Sequence, residues 1–161
     1  MSLTRAFNLL VALPRSIEEY TTSGSLIRSI QLESRTDYIQ RAIEMSSGQF
    51  VVSRAGSAQH RVCVVDTAGR IVHSYGGPPG SSSGQLNWPR YLAVDAYGWV
   101  FVADSDNDRV QVLSPTLTRL GDVTTPVHRI HKPFSLYLDE LNDCLIVGGD
   151  GAEAVLTIIY L

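Results

Sequence analysis

Apolar residues come in short runs along this chain, and turn residues close each run. The pattern is fullest from Gly84 to Pro115. Tyr91 to Val94 is apolar and ends at Asp95, the turn Ala96-Tyr97-Gly98 follows, and Trp99 to Ala103 is apolar again. The polar loop Asp104 to Asp108 then hands over to a third run, Arg109 to Leu113. Short runs rich in Val, Phe and Leu, bounded by Gly, Asp, Asn or Pro, predict strands joined by tight turns. VFVA within the second run is apolar at every position rather than alternating, which suits a strand buried on both faces.

The same order recurs. Upstream, FVVSRAGSAQHRVCVVDTAGRIVHSYGG repeats it, and Arg61 stands 48 residues before Arg109. Earlier still, NLLVALPRSIEEYTTSGSLIRSI fits, with Arg15 standing 46 residues before Arg61. Downstream, CLIVGGDGAEAVLTII repeats it again, and Ala154 stands 45 residues after Arg109. Fourth strands fall at Leu26 to Ile30 and Ile71 to Tyr75, each opened by a turn, Ser23-Gly24 or Ala68-Gly69. A period near 46 residues with four strands per copy is the signature of a propeller blade.

The run P-x-x-L-A-V-D-x-x-G-x-V-F-V-A-D-S-x-N-x-R-V-Q-V-L resembles the NHL repeat, a unit of β-propellers. Pro89, Ala93, Val94, Asp95, Gly98, Val102, Ala103, Asp104, Asn107, Arg109, Val110 and Val112 fall where that pattern puts them, and Asp108 departs from it where His is common. The resemblance implies an all-β propeller of four-stranded blades. It also implies that Asp104, Asn107 and Arg109 are repeat residues, with the Arg109 guanidinium bonding Asp95 or a neighbouring carbonyl to tie strands together.

Four copies are visible. Residues 1–36 hold the first, without a convincing first strand, and residues 37–88 hold the second and its exit loop GGPPGSSSGQLNW. Residues 89–132 hold the third, with a weak fourth strand near Leu117 to Val123. Residues 133–161 hold the fourth, which supplies three strands and stops. Propellers typically have about 4–8 blades and protect their edges by closing radially. Some three and a half copies would leave a gap in the six-bladed ring usual for the family. Open blade faces and unpaired edges invite association. The expectation is a piece of a longer protein, or an incomplete propeller that completes itself with a second copy.

Composition narrows the class further. The chain has 161 residues, 44% of them hydrophobic and 18% charged, so it is globular and its length suits one domain. A net charge of −3 argues against a surface devoted to nucleic acid, although a local basic patch is compatible with it. Cys63 and Cys144 lie in predicted strands, which favours core packing and a reducing compartment such as the cytoplasm. No stretch approaches the roughly 18 apolar residues of a membrane span. Arg5 followed by AFNLLVAL imitates a signal-peptide core, but it lacks a small-residue cleavage site, and Leu9 to Ala12 serve as a repeat strand.

Catalytic and metal chemistry finds little purchase, and no cofactor is expected. Asp104-Ser-Asp106-Asn-Asp108 imitates the start of a calcium loop, but an EF-hand needs Gly where Arg109 stands and Glu where Pro115 stands. His60, His73, His128 and His131 have no zinc spacing and do not match the histidine pattern of the related peptide-amidating lyase propellers. The exit loop is glycine-rich but has no Gly-Lys pair and opens no helix, so it is a connection rather than a phosphate cradle. No serine sits in a nucleophile elbow.

What remains is a face. In a four-stranded blade the loop between the second and third strands shares one end with the connection to the next blade. That end gathers Arg54, His60, Trp88, Arg90, Asp106, Asp108, His128, Arg129, His131 and Lys132. Exposed Trp, Arg and His are the residue types that anchor protein contacts. The resemblance points to the substrate- or RNA-binding ends of tripartite-motif ligases and translational repressors. The expected function is therefore non-catalytic recognition of a protein or peptide. RNA binding is the second reading, weakened by the interspersed carboxylates, and a lactonase- or lyase-like enzyme is the third.

Overall fold

The structure, a computed structural model, describes residues 1–32, 37–123, 130–150 and, as backbone, 156–160. Each sheet is an antiparallel meander whose neighbours follow chain order. The first sheet holds β1 (Ser2–Leu3), β2 (Leu9–Ala12), β3 (Ser16–Tyr20) and β4 (Leu26–Gln31). The second holds β5 (Asp37–Glu44), β6 (Phe50–Gly56), β7 (His60–Val65) and β8 (Ile71–Gly77). The third holds β9 (Pro89–Val94), β10 (Val100–Asp104), β11 (Arg109–Leu113) and β12 (Arg119–Val123). The fourth holds β13 (Pro133–Asp139), β14 (Cys144–Gly149) and β15 (Leu156–Tyr160).

The uniformly apolar strands are explained by where the sheets pack. Phe50, Val52, Cys63 and Val65 of the second sheet bury against Leu10, Ile17 and Ile30 of the first. The alternate positions Val51, Val62 and Val64 bury against Leu92, Val100, Val102 and Leu113 of the third. Phe101, Ala103 and Val110 of the third then face Leu136, Leu145 and Val147 of the fourth. A sheet pressed between two others needs apolar residues on both faces, so the period-two alternation disappears. Cys63 and Cys144 are buried in this packing.

The register makes the repeat quantitative. Phe50 pairs with Val65 and Arg54 with Arg61, while Val100 pairs with Leu113 and Asp104 with Arg109. Arg61 and Arg109 are thus equivalent, as the spacing predicts. Arg15 is not. Leu9 pairs with Tyr20, which places Ser16 at that position and leaves Arg15 in the short turn before it. Ala154 lies outside the described residues. A second difference concerns the first copy, which does have a first strand: Ser2 and Leu3 pair with Leu10 and Leu9. Its two residues are too few to show a pattern in sequence. The 3-10 turn Ser105–Asn107 carries the loop between β10 and β11.

One glycine is demanded by packing. Gly76 has φ +100°, and a Cβ there would stand 2.3 Å from the His60 carbonyl oxygen, so no other residue fits behind that strand.

Candidate recognition face

The loops between second and third strands lie at the end of each sheet that also carries the connection to the next. At that end the third sheet is fastened by one buried carboxylate. Asp104, fully buried, accepts the Asn87 backbone N–H at 2.6 Å through Oδ1. Its Oδ2 accepts Asn107 Nδ2 at 2.8 Å and Arg109 Nε at 2.7 Å. Arg109 also donates to the Gln85 and Ser81 carbonyls, at 3.0 and 3.3 Å, and Asn107 to the Gly80 carbonyl at 2.9 Å. The Gln111 amide completes the set, its nitrogen donating to the Tyr75 hydroxyl and its oxygen accepting from Arg109. Burial raises the Asp104 pKa, against the opposing pull of Asn107, the Asn87 amide and Arg109. Arg109 therefore ties the chain together through Asp104 and loop carbonyls. Asp95 is at the opposite end of the sheet, where it accepts the Tyr97 and Trp99 N–H groups of its own turn.

Trp88 adopts φ +60°, a left-handed conformation costly for a bulky residue, just before Pro89. Both of its backbone groups are held. Its N–H donates to His60 Nδ1 at 2.9 Å, and its carbonyl accepts the Ser105 N–H at 3.3 Å. The His60 ring meets the indole edge-on, with centroids 5.4 Å apart. Lys132, just before Pro133, repeats the device with φ +39° and a carbonyl that accepts the Asp150 N–H at 3.3 Å. Asp108, also left-handed, holds the second position: its Oδ1 lies 3.0 Å from His131 Nδ1 and accepts the Lys132 N–H at 2.8 Å.

Of the residues expected at this end, Trp88 is half-buried, and Arg90, Asp106, Asp108, His131 and Lys132 are exposed. His128 and Arg129 lie outside the described residues. Arg54 and His60 are corrections, because both are buried. Arg54 lies within β6 at the position Asp104 takes in β10, inside the packing rather than on the loop. His60 opens β7 and acts from beneath, orienting Trp88. Sequence reasoning missed Asn87 and Ser105, whose part is played by backbone groups that no side-chain motif reports. Among the described residues, no three His, Cys, Asp or Glu side chains converge to hold a metal ion. No helix there is long and apolar enough to cross a membrane.

Four-stranded meanders packed face to face, with loops and connections gathered at one end, define a β-propeller. The comparisons with known proteins agree. No known family model matches the chain. It is 29% identical to the E3 ubiquitin-protein ligase TRIM56 of Homo sapiens over 147 residues, which cover 83% of this chain and 19% of the ligase. The Mus musculus protein of the same name is 28% identical over the same share. The chain thus spans about a fifth of the length of these relatives. Among solved structures, virginiamycin B lyase from Staphylococcus aureus superposes with a TM-score of 0.61 at 7% identity, covering 99% of this chain and 54% of the lyase. The periplasmic gluconolactonase of Pseudomonas aeruginosa does so with a TM-score of 0.51 at 16% identity, covering 83% of this chain and 40% of that one. Likeness at these identities is likeness of fold. The chain has the fold of a β-propeller, and its repeats resemble the NHL type.

Proposed function

We propose that this propeller is a non-catalytic recognition module that binds a protein or peptide through the surface formed by Trp88, Arg90, Asp106, Asp108, His131 and Lys132. One observation carries the reading: a bulky aromatic residue is held in a strained backbone conformation by hydrogen bonds on both sides, at the end of the sheets where exposed residues of both charges stand. Such strain persists where the surroundings over-determine it, and it fixes the indole before any partner arrives. A half-buried Trp inside a polar rim is the usual anatomy of a binding hot spot. Asp106 and Asp108 interleave with Arg90 and Lys132, so the surface can pair with both signs of charge, as a protein partner requires. The likeness to a ubiquitin ligase fits a part that selects rather than catalyses.

The test is selection of binding peptides from a displayed random library by this chain, with affinities then measured for Trp88→Ala and Arg90→Ala. The expected loss is about tenfold or more for Trp88→Ala, with the melting temperature preserved. Peptides that bind both variants as tightly as the parent would sink the assignment.

A further inference from the structure

The opposite end of the molecule carries a second, chemically different surface. There the turn between β9 and β10 faces the turn between β13 and β14. Tyr97, Trp99, Phe101 and Val112 line a cleft of about 600 Å³ with Asp95 at its rim. A second cleft, about 320 Å³, continues from Asp95 and Tyr97 to Asp139, Glu140 and Asp143. Tyr97 is 84% exposed and Trp99 47% exposed, far more than large aromatics usually are without a purpose. Among the described residues no Lys or Arg lines either cleft, and no ion pair engages the four carboxylates.

This groove is built in place. Asp95 Oδ1 accepts the Tyr97 and Trp99 N–H groups at 2.9 and 2.8 Å, which sets the aromatic turn. Asp139 holds the facing turn through Leu141, Asn142 and the Asn142 amide. Glu140 Oε1 accepts the Ala96 N–H at 2.7 Å, so the acidic wall is fastened to the aromatic one. Because adjacent strands alternate in direction, these turns lie at the end away from Trp88, and the two surfaces do not overlap.

We infer that this groove binds a basic-apolar peptide segment, with an apolar side chain against Trp99, Phe101 and Val112 and neighbouring Arg or Lys side chains against Glu140 and Asp143. The charge complementarity is one-sided: an apolar wall beside carboxylates that form no ion pair among the described residues rejects acidic segments and nucleic acid and attracts cations. Tyr97 and Trp99 add an aromatic face on which a guanidinium can stack. The inference does not depend on the function proposed for the Trp88 surface.

The probe is a fluorescent peptide pool with arginine fixed at both ends and Leu, Ile, Phe or Trp at the central positions. A control pool has glutamate in place of arginine. Binding of the basic pool alone is expected. Trp99→Ser or Tyr97→Ser should weaken it about tenfold. The double variant Glu140→Gln, Asp143→Asn should weaken it several-fold and flatten its salt dependence. Trp88→Ala should leave it unchanged, which separates this result from the fate of the other surface. Any of four results overturns the inference: no binding of the basic pool, equal binding of the acidic pool, binding indifferent to both aromatic variants, or a fall in solution mass on Trp99→Ser, which would mean that a second copy of the chain fills the groove.

Discussion

At the scale of the residue, the chain turns on Asp104. Its carboxylate is wholly buried and gathers the exit loop, the 3-10 turn and β11 onto one point. Removing one member of such a set leaves the Arg109 guanidinium and several donors without their acceptor, which costs far more than the pair contributed. Asp104→Ala should lower stability by about 3 kcal/mol, read as a shift in the urea midpoint. A midpoint equal to the parent's would mean that the network holds nothing. The equivalent residue one repeat earlier is Arg54, a reversal of charge at the same buried place. Sequence alone set Arg54 among the residues at the loop end, because it stands close to the loop between the second and third strands; the cross-strand register puts it inside.

At the scale of the element, two predictions separate strand packing from charge. Val102 is wholly buried between the second and third sheets. Val102→Asp would place a charge there with no counter-ion and should cost more than about 4 kcal/mol. A melting temperature near the parent's would contradict the strand assignment. The first sheet leans on a buried carboxylate instead. Glu19 accepts Asn8 Nδ2 at 2.8 Å and Arg28 Nε at 2.6 Å, and Arg28 reaches on to Glu44 at 3.6 Å. Burial raises the Glu19 pKa, but Asn8 and Arg28 outweigh it, and the net shift is downward. A carboxyl lowered by folding contributes stability that is present above its unfolded pKa and lost as pH falls through the folded one. Glu19→Gln should therefore melt below the parent at neutral pH, with the difference closing under acid. A difference independent of pH would assign the loss to shape rather than charge.

At the scale of the whole molecule, the surfaces at the two ends differ in what they exclude. The Trp88 end holds Arg90 and Lys132 among Asp106 and Asp108, with Arg54 buried and unable to meet a phosphate. Each phosphate contact contributes roughly 0.7 to the log–log salt slope for single strands, so the two cations found there among the described residues give a shallow, weak interaction. RNA binding at low salt and its loss near about 0.15 M salt is the expected result of a salt titration. Tight, sequence-selective binding that survives that salt would move the assignment from protein to RNA.

The repeat period, the order of the central strands and most turn positions were legible before any coordinate. They depend on local rules, the length of apolar runs and the residue types that tolerate tight turns, and those rules act on neighbours in the chain. The exposure of Arg90, Asp106, Asp108, His131 and Lys132 was legible for the same reason, since repeat equivalence assigns each loop to one end. Tertiary structure alone decided the rest. The burial of Arg54 and His60, the left-handed backbone of Trp88 and Lys132, and the joining of Ala96 to Glu140 all depend on pairings between sheets. Such pairings bring together residues 28 or 44 positions apart. No pattern along the chain specifies them, because the free energy that fixes them comes from packing one repeat on the next.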